Sequence, residues 1–431
     1  MYLAGSKARQ DEGGSAVHLT VGRRAAGVGS TAVALGTVSL LTDLSSEMVT
    51  AVLPLYLVVG LGMSPLQFGF LDGLYNGVTA FVRLLGGHVA DRWSRHKLVA
   101  GIGYGLSAVC KPFLLLAGAN TTALSATLAV DRIGKGIRTA PRDALISLSV
   151  DDAHQGRAFG VHRAMDTAGA LAGPLAAFLL LWLVADAFDA VFMVSFCVAT
   201  LGVLVLIAFV PGRSSMPIGS VRPTLRQTVG ILAEPRYRRL LIAATLLGMV
   251  TIGDGFLYLG LQDRMKLDTV FFPLLPLGSA AVYLVLAVPF GRLADRIGRR
   301  LPFLLGNLAL LGAYSTMLLP IDGPLLLVLT LGMLGLFYAA TDGVLMALAG
   351  PGIPRDRRAG GLALLQTGQA VGRLLAAVLF GAAWTLWGLG AAFSAASVAL
   401  LAVVIVAKVL IRPDHGADEG VVPSSDAGSR A

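Results

Sequence analysis

Read from its N-terminus, the chain is polar and glycine-rich over residues 1–27 and then apolar for most of its length. From residue 28 to residue 410, long apolar runs alternate with short turns and charged loops. A helix crossing a hydrocarbon layer of about 30 Å needs about 20 apolar residues, and these runs supply them repeatedly. The pattern predicts spans near 28–57, 65–90, 98–118, 121–148, 158–185, 189–210, 238–262, 271–290, 301–320, 324–349, 360–387 and 389–410. Helices are expected rather than barrel strands, because the runs are continuous instead of alternating residue by residue. The longest polar segment between runs, 211–237, holds Pro211, Pro217 and Pro223 and divides the spans six and six. The expected fold is an all-α membrane protein of twelve transmembrane helices in two pseudo-symmetric six-helix bundles. These are residues 28–210 and 238–410, joined by a cytoplasmic linker at 211–237 and flanked by an N-terminal tail, 1–27, and a polar, disordered tail, 411–431.

Composition overrules the two or three soluble domains that 431 residues would otherwise suggest. Hydrophobic residues make up 55% and charged residues 14%, against about 25% charged in a soluble domain. The 53 glycines suit close helix–helix approach in lipid. A net charge of +9 raises the question of nucleic acid, but the placement of the charge answers it. With the N-terminus in the cytoplasm, Arg23, Arg24, Arg92, Arg95, Lys97, Arg157, Arg213, Arg222, Arg226, Arg296, Arg299, Arg300 and Arg358 all fall in inner segments, and only Arg264 and Lys266 fall outside. That asymmetry is topological and places both termini and the linker in the cytoplasm of a cell membrane, with a bacterial inner membrane expected. Nucleic acid is excluded as a partner on the same ground. Residues 1–27 are not expected to form a cleavable signal. Cys110 and Cys197 both lie within spans, so neither a disulfide framework nor a metal site is implied.

One phrase is written twice. "GHVADRWSRHK" at 87–97 and "GRLADRIGRR" at 291–300 each follow the second span of their half, which is the mark of a parallel internal repeat. Gly87 and Gly291 allow two helices to approach, Asp91 and Asp295 can cap a helix start, and Arg92, Arg296 and Arg299 meet headgroups or helix carbonyl ends. Such a network is expected to gate conformational change; the plainer alternative is a loop that only sets topology.

The repeated phrase resembles the loop motif of the major facilitator superfamily, Gly–x–Leu–Ala–Asp–Arg–x–Gly–Arg–Lys/Arg. The second copy matches at Gly291, Leu293, Ala294, Asp295, Arg296, Gly298, Arg299 and Arg300, while the first departs at Ser94 and His96. The resemblance extends over residues 28–410 and implies a secondary transporter working by alternating access. In "LAVDRIGKGIRTAPRDAL", 128–145, Leu128, Arg132 and Gly136 are similar to the family's Leu–x–x–x–Arg–x–x–Gln–Gly, with Lys135 in place of Gln. The resemblance links that Arg to proton transfer. Gly160, Gly169, Gly173 and Pro174 match the pattern Gly–x8–Gly–x3–Gly–Pro–x2–Gly of the family's drug–proton antiporters, with Ala177 and Phe178 replacing the final Gly pair.

The residues themselves point to intramembrane charge. Arg132, Lys135, Arg138 and Arg142 fall within about 120° of helical arc and form one basic stripe on the fourth span. Asp43 and Glu47 share a face of the first span, as do His162 and Asp166 on the fifth, and Asp72, Asp131, Asp254 and Asp342 are also intramembrane. Low dielectric disfavours an ionised carboxylate and a neighbouring Arg favours it, so a group held between the two can load and unload a proton. Protons are expected to enter on Asp43 or Glu47, with Arg132 and Lys135 as electrostatic counterparts. Gln369, Arg373 and Tyr338 are candidate polar contacts for substrate. The reading is a monomeric, proton-coupled exporter of a small molecule, resident in the bilayer and needing no cofactor. Proton-coupled uptake of an organic anion is the alternative, which the basic stripe supports. A non-transporting membrane sensor or scaffold is the third reading. No nucleophile–base pair or metal cluster at a usable spacing suggests an enzyme.

Overall fold

The structure is a computed structural model that describes residues 30–93, 96–150, 155–211, 230–342, 344–349, 353 and 358–411. The tail 1–27, most of the linker 211–237, and residues 412–431 lie outside the described residues. Helices follow one another along the chain: α1 (Ser30–Leu55), α2 (Pro65–Trp93), α3 (His96–Ala117), α4 (Thr121–Leu148), α5 (Gln155–Leu183), α6 (Phe188–Phe209), α7 (Pro235–Val250), α8 (Asp254–Met265), α9 (Leu274–Ile297), α10 (Arg300–Thr316), α11 (Pro324–Thr341), α12 (Val344–Ala349) and α13 (Arg358–Leu410). Helix is the form that satisfies every backbone group within one segment, which an apolar surrounding demands.

Eight helical stretches among the described residues are long and apolar enough to cross a bilayer. Three further expected spans, at 65–90, 121–148 and 301–320, are helical as α2, α4 and α10. They fall short as apolar spans for physical reasons: α4 carries the basic stripe, α2 is interrupted by polar residues and glycines, and α10 has 17 residues. The expected spans 360–387 and 389–410 are two arms of α13 meeting at Gly388, where φ is 83°. That left-handed value strains any residue with a Cβ, so the glycine permits the bend.

Packing groups the helices. α1 lies against α5 and α6, α3 against α4 and α6, and α2 against α4. Later in the chain, α13 lies against α7 and α10, and α11 against α9 and α10. Glycines set the closest approaches: a Cβ on Gly169 or Gly173 would meet the α1 backbone at Leu40 and Leu44, and one on Gly248 or Gly372 would do the same between α7 and α13. On α1 and α6, Ser45 and Ser195 donate to each other's carbonyl oxygens at 2.7 Å, so two polar side chains are satisfied inside an apolar interface. The first and second parts of the chain meet through α2 on α13, where Gly69 and Gly73 allow the backbone of Ala377 and Leu374 to come close, and through α5 on α9.

Candidate functional site

Two helix breaks shape the centre of the molecule. α7 stops at Val250 and α8 begins at Asp254, leaving Thr251–Gly253 without regular helix. The break is held by Tyr314 of α10, whose hydroxyl accepts from the Ile252 amide at 2.9 Å and donates to the Val250 carbonyl at 3.1 Å. Backbone that leaves a helix within a membrane must find such partners, or line a polar space. α11 gives way at Asp342, whose ψ of 130° is extended.

Both breaks open on a cavity of about 420 Å³ lined by α1, α2, α4, α8, α9, α11 and α13. Its charged lining is Glu47, Asp72, Asp254, Asp342 and Arg373. The Tyr338 hydroxyl donates to both oxygens of Asp254, at 2.7 and 2.8 Å. The Tyr283 hydroxyl reaches Asp342 at 3.4 Å. Asp72 packs onto Gly253, where a side chain would collide with its carboxylate, and Asn76 donates to the Asp72 carbonyl at 3.0 Å. Arg373 lies within electrostatic reach of Asp72 and Asp254, and its Nε is buried without a hydrogen bond among the described residues.

Beside the cavity sits a drier charged cluster. Asp131 and Arg132 are 9% and 5% exposed and pair directly, with Arg132 Nε at 2.9 Å from Asp131 Oδ2. The Ser107 hydroxyl donates to the other Asp131 oxygen, and Lys111 Nζ donates to the Ser107 carbonyl at 2.9 Å. The Arg132 guanidinium stacks 3.8 Å from the centre of the Tyr75 ring, which lines the cavity, and the Tyr75 hydroxyl meets Thr50 at 2.9 Å. Arg132 is therefore paired directly with its chain neighbour, and it also lies within electrostatic reach of Glu47, one of the two acids it was expected to oppose.

A third group lies between α1, α4 and α5. Arg138 approaches Asp43 at 3.8 Å and stacks on Tyr104 at 4.6 Å. Arg142 reaches Asp143 at 3.0 Å and Asp166 at 3.9 Å. The carboxyls of Asp43 and Asp166 face each other. His162 is buried beside them, with neither ring nitrogen hydrogen-bonded among the described residues. The two acids that share a face of α1 thus part company: Asp43 joins this group and Glu47 turns to the cavity. Lys135 is within electrostatic reach of both.

The expected loop residues sit at helix ends. Gly87, Asp91 and Arg92 fall at the end of α2, with side chains outside the described part. Gly291 and an exposed Asp295 lie late in α9, and Arg296 is in its last turn. Gly298 closes that helix at φ 86°, and Arg299 stands just before α10. Of the glycines on the fifth span, Gly169 and Gly173 make the α1 contact, Pro174 follows them in the helix, and Gly160 faces open space. Gln369 lines a smaller cavity of about 180 Å³ that also borders Tyr338, Asp342 and Arg373. Sequence reasoning passed over Tyr75, Tyr258, Tyr283, Asn76 and Lys111. Lys111, a lone ammonium inside the apolar α3, was the one signal that could have been read directly. Among the described residues no group of His, Cys, Asp and Glu could hold a metal ion.

At the end of the bundle away from the linker, aromatic rings pack on one another, and one of them, Phe68, lines the cavity. Phe256 packs edge-on to Phe68 and Phe380, each at 4.8 Å, and Phe380 continues to Phe393 at 5.0 Å. Polar bonds tie the same end across the two parts of the chain: the Leu66 amide to Thr385 at 3.0 Å and the Thr269 hydroxyl to Asp186 at 2.9 Å.

Comparison with known proteins agrees with this architecture. A family model described as Major Facilitator Superfamily matches residues 35–282 and 271–430. An uncharacterised MFS-type transporter of Methanocaldococcus jannaschii is 30% identical over 358 residues, covering 81% of this chain and 87% of that protein. Among solved structures, the nucleoside transporter NupG aligns over 88% of this chain and 98% of its own, with TM-score 0.72 at 15% identity. A peptide transporter POT aligns over 89% and 95%, with TM-score 0.69 at 17% identity. At such identities the likeness is one of fold. On the family model and the archaeal relative together, the chain belongs to the major facilitator superfamily and is a membrane transporter of that family.

Proposed function

We propose that this transporter is a proton-coupled exporter of a small molecule, built as two six-helix halves, 28–210 and 238–410, that rock about the central cavity. Both termini and the 211–237 linker face the cytoplasm of the cell membrane in this reading, as the loop charges favour. The observation that carries it is the cavity itself, bordered by helices from both parts of the chain and lined by four carboxylates at membrane depth. Ionisable groups there are costly and belong to transport pathways or proton relays.

The coupling residues in this reading are Asp43 and Asp166. A proton taken up between their facing carboxyls weakens the hold on Arg138 and Arg142, both on α4, and so changes how α4 sits against α1 and α5. Glu47 is one turn from Asp43 on α1, which links that change to the cavity. A coupling mechanism needs such a difference in interaction between two states. Anion uptake draws on the α4 stripe, yet Arg132, Arg138 and Arg142 are all engaged with carboxylates of this chain.

The test is solute movement in proteoliposomes under an imposed pH gradient, screened over cationic, neutral and anionic compounds. At least one solute should move against its gradient, and Asp43→Asn or Asp166→Asn should abolish that accumulation in folded protein. Flux of a transported solute that ignores the pH gradient, or parental behaviour of both variants, would sink proton coupling.

A further inference from the structure

From the lining of the cavity we infer that the substrate is an organic cation carrying an apolar or aromatic body. The inference rests on the cavity being the substrate site and names what it selects.

Three observations carry it. First, the charge is one-sided: Glu47, Asp72, Asp254 and Asp342 stand against Arg373 alone among the charged residues lining the cavity. Second, the carboxylates have acceptor capacity left. An ionised carboxylate offers about four lone-pair sites. Yet Asp254 accepts from Tyr338, Asp342 from Tyr283, Asp72 from Asn76 at 3.4 Å, and Glu47 from no donor among the described residues. None of the four is fully buried and Asp342 is exposed, so the unused acceptor sites face the cavity, where a donor or a positive charge can reach them. Third, the walls are aromatic and apolar. Tyr75, Tyr258, Tyr283 and Tyr338 line the space beside Phe68 and Leu71. Their hydroxyls are tied into the wall, Tyr258 to Ser279 at 2.8 Å and the others to the partners already given. What remains for a ligand is ring surface, which attracts a desolvated cation. A cavity of about 420 Å³ lies in the size range of small-molecule sites.

Arg373 completes the selection. Its guanidinium acts on Asp72 and Asp254 while no ion pair to either is closed among the described residues. It serves as a resident counter-charge, and an incoming cation competes with it for the two aspartates. An anion would meet four carboxylates offset by Arg373 in the lining and, at Glu47, by Lys135 and Arg132, so the lining discriminates by repulsion as well as attraction.

Equilibrium binding to the purified full-length protein in detergent tests this without requiring transport. The probes are benzyltrimethylammonium, neutral tert-butylbenzene and benzenesulfonate, of similar size and opposite or absent charge. Benzyltrimethylammonium should bind and the other two should not. Asp72→Asn and Asp254→Asn should each weaken it about tenfold or more, as expected when one partner of a desolvated charge contact is removed. Arg373→Gln should tighten it several-fold, a gain that misfolding cannot produce. Asp72→Glu, which keeps the charge, controls for damage at the Gly253 contact. Preference for benzenesulfonate, absence of binding by the ammonium probe, or indifference of its affinity to all three charge-removing variants would overturn the inference. Binding that follows the expected pattern without any flux in proteoliposomes would instead remove the transport mechanism and leave the cation specificity standing.

Discussion

Replacing Asp131 with Asn keeps the shape of the side chain and removes the charge that compensates Arg132. Both residues are at least nine-tenths buried, the carboxylate takes two bonds from the guanidinium and one from Ser107, and Lys111 stands one bond further out. The variant leaves a buried guanidinium facing an amide and a second buried ammonium nearby. Removing one partner of a buried pair costs about 3–5 kcal/mol, because an uncompensated charge stays behind in low dielectric. For a cooperative unit of about 200 residues, at about 2–4 °C per kcal/mol, the melting temperature falls by roughly 6–20 °C. Arg132→Gln should cost a comparable amount, since it strands the carboxylate and empties the face of Tyr75. The double variant Asp131→Asn with Arg132→Gln should be less damaged than the two losses added together, with a coupling of about 1–3 kcal/mol. Thermal unfolding of the four purified proteins, followed by tryptophan fluorescence, measures the cycle. Strict additivity would refute the claim that Asp131 compensates Arg132, and a melting temperature unchanged in Asp131→Asn would place the pair in water rather than in the bundle.

Gly173→Leu should prevent α5 from lying against Leu44 and Glu47 of α1, costing about 1–3 kcal/mol or more through overpacking, and a melting temperature equal to the parent's would show that the close approach is absent. Tyr314→Phe strips the bonds at the α7–α8 break and leaves the Ile252 amide without its partner, for about 1–3 kcal/mol. Because Asp254 starts the next helix, solute affinity should fall along with stability, and a change in stability alone would separate the break from the cavity. Cysteines replacing Ala187 and Asp322 should react with an impermeant thiol reagent added outside cells while one replacing Ser220 should not; the reverse pattern would invert the proposed orientation.

The sequence by itself determined the membrane helices, the charge asymmetry of the loops and the presence of carboxylates and guanidiniums at membrane depth. These follow from local composition: an apolar run of sufficient length has one low-energy form in lipid, and an Arg or Asp within it is visible wherever the helix points. The basic stripe of α4 was legible for the same reason, since spacing along one helix fixes which residues share its face. Gly169 and Gly173 could be read as a close-approach surface, although the partner, α1, could not. What the tertiary structure decided is how each helix is rotated about its axis. In a soluble protein the apolar stripe reveals that rotation, but in lipid the outward face is apolar too, as Val285, Leu386 and Val409 show at 72%, 72% and 69% exposed. Rotation therefore follows from packing among distant segments. It gave Asp43 to Arg138. It brought Tyr338 onto Asp254, 84 residues away. It also seated Asp72 against the break at Gly253, a contact between segments far apart in the chain that no local pattern encodes. The acids were visible in the sequence; the cavity that collects four of them arises only when the helices pack.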